Sequence, residues 1–228
     1  MKRTSFLSML LAAAVTTACA GDADHNRANQ PAAGAAVGTS GDTARDVSSG
    51  DRDFVREVTS ANTAEMQMAN LALQRASDSD VKKFAQMMVT DHTQAGTKMR
   101  ALASQHNLAI PAAGDGEKNP AEAFADKRGA DFDREYADTM VDAHQDMVDK
   151  LESRIDKDTL AKWKESHTNP ATGQKGKVEA MTVVAEKSDN PVTLALNQWA
   201  AETYPVAFAH LQAAKDLQKG LESRRSNP

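Results

Sequence analysis

Residues Val81–Leu102 read "VKKFAQMMVTDHTQAGTKMRAL", and one line of side chains through this stretch decides how the chain folds. Val81, Ala85, Met88, His92, Ala95, Met99 and Leu102 follow one another in alternating steps of four and three. Such steps keep side chains on one side of an α-helix, facing a partner helix. A half-buried strand would need alternation at every second residue. The spacing therefore predicts a helix. Its line carries one ionisable residue, His92.

The setting of that histidine recurs. "MVTDH" at Met88–His92 is echoed by "MVDAH" at Met140–His144 and by "VAFAH" at Val206–His210. Three other helical lines can be traced. The first runs Phe54, Val58, Ala61, Glu65, Met68, Ala72, with Ser49 or Asp51 as its cap. The third runs Asp133, Ala137, Met140, His144, Met147, Leu151. The last runs Val192, Leu196, Trp199, Thr203, Val206, His210, Ala213, Leu217, with a kink expected at Pro205. Ser77 or Asp78 can cap the second helix, Asn107 can close it, and Pro111 blocks its continuation. A short helix is expected near "NPAEAFADKRG".

Each of four lines thus holds an ionisable side chain: Glu65, His92, His144 and His210. Counted from the helix ends, they fall at similar heights. In an up-down-up-down four-helix bundle they converge at mid-height, and the three similar pentapeptides become three walls of one polar site. Of the six histidines in the chain, the other three have blander settings. His25 lies in a polar linker, His106 at a helix end and His167 in a polar segment.

The N-terminal residues "MKRTSFLSMLLAAAVTTACAGD" read as an export signal: Lys2 and Arg3, then an apolar run from Phe6 to Val15 too short to span a bilayer, then small residues. "TTAC" resembles the processing site of bacterial lipoproteins. That resemblance implies lipid on Cys19, the single cysteine, and Ala20 after it implies the outer membrane, facing the periplasm. The expected layout is a signal peptide over 1–18, a flexible linker over 19–50 and a helical domain over 51–228. With one cysteine no intrachain disulfide can form, so the core must hold the fold. The net charge of −5 with mixed signs and no basic stripe argues against nucleic acid as a partner. There is no Gly-rich phosphate loop, nucleophile elbow or Cys-x-x-Cys pair, and no reaction is assigned.

The stretch from Asp53 to Pro111, with "FDREYADTMVDAH" and "TYPVAFAHLQAAKDL" further on, resembles the bacterial domain-of-unknown-function family numbered 4142. The resemblance extends over about 51–220. It rests on Asp91-His92 after a Met-Val pair, Phe132-Asp133-x-x-Tyr136, His144, and Pro205 five before His210. It implies an all-α, ferritin-like bundle that is exported and often lipidated, and no established activity. The connection over about 154–190 is longer than the family's usual one. It is expected to extend the third helix through Trp163 and then form a polar loop with Pro170, Gly173 and Gly176.

Two readings of the buried cluster follow, and one of the surface. Three imidazoles and a carboxylate suit a single transition-metal ion (Zn, Cu or Fe), with Asp91 and Asp133 orienting imidazoles from outside. Di-iron bundles place a Glu three residues before each of two histidines; here Val89, Val141 and Ala207 stand there, so a ferroxidase centre is ruled out. Alternatively, the cluster only fixes helix register. Met66, Met68, Met87, Met88, Met140 and Met147 fit core packing, or soft copper ligation. On the surface, the lipid-tethered bundle or its insertion can serve as a docking module for a periplasmic protein.

Overall fold

The computed structural model describes residues 47–110, 120–124, 126–168 and 182–226. The expected signal peptide, Cys19, the expected linker up to residue 46, Pro111, Pro170, Gly173 and Gly176 lie outside the described residues. The described residues form five α-helices: α1 (Ser49–Arg75), α2 (Ser79–Gln105), α3 (Gly129–Glu152), α4 (Lys157–Thr168) and α5 (Pro191–Ser226). A short 3-10 helix spans Pro120–Phe124, where a short helix was expected. The all-α bundle is therefore as predicted. No described helix is long and apolar enough to cross a membrane.

Local chemistry sets the helix ends. Ser48 caps α1 in place of the expected Ser49 or Asp51: it accepts from the Asp51 N–H at 3.0 Å and donates to Asp51 Oδ2 at 2.8 Å. Asp78 caps α2, accepting from the backbone of Asp80 and Val81. At the far end of α2, Asn107 takes φ 53°. Leu108 N–H then reaches the carbonyl of Ala103 at 2.8 Å, the bond that closes a Schellman motif.

The chain direction departs from the expected alternation. Asp133 at the start of α3 bonds Ser77 and Asp78 in the α1–α2 turn. Arg154 just past the end of α3 reaches Asp51 at the start of α1. Thr193 at the start of α5 also reaches Asp51, and Arg224 near its end pairs with Asp78. The order is thus up-down-down-up. α2 and α3 run parallel on a diagonal, and every adjacent pair (α1–α2, α3–α5, α1–α3, α2–α5) is antiparallel. α2 ends and α3 begins at opposite ends of the bundle, a distance that residues 106–128 are numerous enough to span at up to about 3.3 Å per residue. One long crossover is the connectivity of ferritin-like bundles.

The third helix also stops earlier than expected. It ends at Glu152, and Trp163 sits on a separate helix, α4. The break is held in place: Asp156 N–H donates to Val184 O, Glu186 N–H to Arg154 O, and Asp156 caps α4 by accepting from Thr159 N–H at 2.9 Å. α3 thus closes at Ser153, and Asp156 begins α4. Pro205 lies inside a helix that continues without a break from Pro191 to Ser226.

The apolar core falls into two clusters. One holds Phe54, Val58, Met99, Met147, Leu151 and Trp199; the other holds Met68, Phe84, Met88, Tyr136, Met140 and Leu217. Between them along α1, α2 and α3 stand Glu65, His92 and His144. The predicted lines of α1 and α3 point inward almost throughout. On α5 the expected line is buried at Val192, Leu196, Trp199, His210 and Leu217 but fails at Val206, which is 44% exposed, while Tyr204, Ala207 and Leu211 are buried. "VAFAH" therefore resembles its two counterparts in spelling more than in setting. Residues four before His92 and His144 are core methionines; the residue four before His210 faces out.

Candidate metal centre

Glu65, His92, His144 and His210 come together. Glu65 stands 10 residues from the end of α1, His92 13 from the start of α2, and His144 15 from the start of α3. All three counts run from the same end of the bundle, so the levels agree within about two turns. The reversed direction of α3 does not spoil the convergence, because His144 is near mid-helix either way. The ring centroids of the three histidines lie 5.4–5.9 Å apart. One ring nitrogen from each lies within 4.8 Å of the others, a grouping that can hold a metal ion. Glu65 Oε2 is 3.2 Å from His92 Nε2 and 3.3 Å from His144 Nε2. Glu65, His144 and His210 are buried; the His92 side chain is 12% exposed.

The hydrogen bonds on the outer sides of the rings fix which nitrogens carry hydrogen. His144 Nδ1 is 2.8 Å from the carbonyl of Met140, one turn back. A carbonyl only accepts, so Nδ1 holds the hydrogen and Nε2 a lone pair. His92 Nδ1 is 3.1 Å from Asn62 Oδ1, and Asn62 turns its Nδ2 toward Met66 Sδ. Again Nε2 is left with the lone pair. His210 Nε2 is 2.8 Å from Asp91 Oδ2 on α2; it donates to that carboxylate, which leaves the lone pair on Nδ1.

Two imidazole lone pairs therefore face a buried carboxyl group. Neither Glu65 oxygen has a hydrogen-bond partner among the described residues, and His144 Nε2 has none either. Burial pushes the Glu65 carboxyl up to about 8. Burial, reinforced by His144 and His210, pushes His92 down to about 3. Burial lowers His144 to about 4; the Met140 carbonyl opposes that fall and His210 adds to it. The contacts at ion-pair distance are therefore not ion pairs at neutral pH. They are neutral groups around a place that lacks positive charge, which a proton or a cation can supply.

Asp91 bonds an imidazole from outside, where the sequence reading put it. Asp133 does not. Its carboxylate accepts from the backbone N–H of Ser77 and Asp78 at 3.0 and 2.9 Å and from the Ser77 hydroxyl. It lies nearly three turns from His144, at the end of the bundle, where it fastens the α1–α2 turn. Its place on the apolar line made it look like part of the site. The methionines one turn from the site, Met88 and Met140, are wholly buried in an apolar cluster.

Two residues of the site escaped the sequence reading. Asn62 is three before Glu65 on α1, a spacing that shares a face; that was the available signal. Tyr136 is fully buried, its hydroxyl has no partner among the described residues, and burial with the nearby Glu65 charge raises its pKa.

No curated protein and no solved structure matches the chain. A family model described as Domain of unknown function (DUF4142) matches residues 36–169, more than half of the sequence. That span includes Glu65, His92 and His144 and stops short of α5, so His210 lies beyond it, and so does part of the 51–220 range of the resemblance. The chain belongs to the DUF4142 family.

Proposed function

We propose that this protein binds one transition-metal ion per chain through His92, His144, His210 and Glu65, in an envelope protein tethered by lipid on Cys19. One observation carries the metal reading. Each imidazole has its outer nitrogen bonded to an acceptor, from Asn62, Met140 or Asp91, while a buried carboxylate that lacks partners faces two of the inner nitrogens. Such outer acceptors fix the tautomer and raise ligand basicity. Three neutral imidazoles with one carboxylate suit Zn, Cu or Fe better than Mg or Ca. Zn–N bonds of about 2.0–2.1 Å put tetrahedral ligand nitrogens about 3.3 Å apart, so binding draws the rings inward. No reaction is part of the proposal, and the carboxylate count remains too low for a di-iron centre.

A second reading has its own support. With its pKa near 8, Glu65 is protonated at neutral pH and can donate to one imidazole, making the cluster a purely structural polar layer.

Metal analysis of protein purified without a histidine tag separates the two. The metal reading gives near one equivalent of Zn, Cu or Fe. It also gives a fall in Tm on chelation that one added metal reverses; a hundredfold excess over Kd stabilises by about 2.7 kcal/mol. A Tm indifferent to chelator and to each added metal supports the structural reading. The tether is tested apart: Cys19→Ala should release the protein from the membrane fraction.

A further inference from the structure

Gly96 is buried in the middle of α2, one turn beyond His92. Glycine there weakens a helix, and its backbone is ordinary helix, so no left-handed conformation requires it. A methyl group at this position would lie 2.9 Å from Asn62 Nδ2. Asn62 is the residue whose Oδ1 receives the His92 Nδ1 hydrogen. The next atom such a methyl group would meet, Arg100 Nη1, is 3.4 Å away on a long side chain. What gives way is therefore the Asn62 amide, and the helix can stay as it is.

We propose that Asn62 is a positioning residue for His92 and that Gly96 provides the space for it, so that the pair sets the affinity of the cluster for a divalent ion such as zinc. The inference rests on the metal reading above. Its logic is a sequence of contacts. Gly96 leaves room for the amide, the amide oxygen holds the Nδ1 hydrogen, and the Nε2 lone pair then points at Glu65 Oε2 3.2 Å away. The three histidines are oriented from outside by three different acceptors: a backbone carbonyl, a side-chain amide and a carboxylate. The amide lies against the space that Gly96 leaves in the neighbouring helix. Losing such an outer partner weakens metal binding about 10–100-fold in other sites.

The test is a cycle of four full-length proteins: wild type, Gly96→Ala, Asn62→Ala and the double variant. Each is titrated with zinc against a competing chelator. Gly96→Ala should raise the zinc Kd about tenfold or more while the metal-free helix content and Tm hold or rise. Asn62→Ala should raise it similarly, and Gly96→Ala should add nothing in that background, because the methyl group has nothing left to displace. Long-range ¹H–¹⁵N spectra of the metal-free proteins supply a readout that packing alone does not move. His92 should be the Nδ1–H tautomer in the wild type and a mixture in the variants. If the wild type binds zinc and Gly96→Ala binds it equally, or the two substitutions act additively, the positioning role is overturned while the metal reading stands. If Cu or Fe is the ion the wild type binds, the same cycle is read with that ion; if it binds none of the three, the metal reading fails, and this inference with it.

Discussion

Helix α1 buries two carboxylates fourteen residues apart, and their surroundings could hardly differ more. Asp51 is 1% exposed and Glu65 2%. Around Asp51 the chain has gathered donors: Ser48 hydroxyl at 2.8 Å, Thr193 hydroxyl at 2.7 Å and the Arg154 guanidinium at 2.5 Å. Burial alone would raise its pKa, but those bonds and the Arg154 charge outweigh burial and hold it below the usual range. Around Glu65 the chain has gathered imidazole nitrogens with lone pairs, and burial pushes its carboxyl up to about 8. A bundle that needed only a polar residue to fix register had the Asp51 solution available on the same helix. Unlike Asp51, Glu65 has no hydrogen-bond donor on either oxygen among the described residues, so its layer has a place where an added proton or cation could sit.

The largest effect should come from breaking the completed site. Asp51→Ala leaves the Arg154 guanidinium, largely buried over the Phe54 ring, without its counter-charge. Urea denaturation should show a loss of about 3 kcal/mol, the range for removing one partner of a buried pair. Glu65→Gln in the metal-free protein should cost far less, or stabilise, because no bonded partner is lost.

pH should separate the two carboxylates next. The Asp51 contribution is complete above its unfolded pKa of about 3.9 and is lost as pH falls through the lower folded value. Glu65 behaves oppositely. Its folded pKa of about 8 exceeds an unfolded value of about 4.3. The metal-free protein therefore loses stability as pH rises through that window. His92 and His144, lowered to about 3 and about 4, remove stability as pH falls below about 6.5. Metal-free Tm should peak near pH 6–7, and Glu65→Gln should flatten its alkaline side. A wild-type Tm that rises from pH 6 to 8 would contradict the environment assigned to Glu65.

The smallest effect concerns the one exposed step of the α5 line, at Val206. Val206→Asp should change stability by no more than about 0.5 kcal/mol, since its side chain faces water. Ala207→Asp, one residue on, should unfold the bundle.

That pair marks where the sequence was legible and where it was not. On α1 and α3 the inward line could be read directly, because each buries one well-defined stripe and the residues on it are large and apolar. Helix α5 packs against α3 and α2 and carries alanines around much of its circumference, so its pattern left open which residues near Val206 face the core, although the rest of the line holds. Tyr204, bonded to Glu152 at 3.0 Å and packed on Trp163, decides it; that contact is set by tertiary structure. The direction of α3 was equally hidden. A connection as long as 106–128 can return along the bundle or turn back at once, and both leave His144 near mid-height. Four residues of the site were legible because an ionisable side chain on an apolar line is conspicuous. Asn62 was not, being one polar residue among several at the edge of its stripe. Asp133 was conspicuous for another reason, since a carboxylate that receives backbone N–H groups at a buried turn also sits on the core line.

The central claim is that Glu65 and the imidazoles form a place for a metal ion that a proton fills in its absence. Zinc titration by calorimetry at pH 7, in buffers of differing ionisation enthalpy, measures both the ion bound and the protons released. The predicted result is one zinc per chain with close to one proton released, from Glu65, and weaker binding with no release in Glu65→Gln. Wild-type protein that takes up none of Zn, Cu and Fe, or a Glu65→Gln protein that binds with unchanged affinity and proton release, would contradict it.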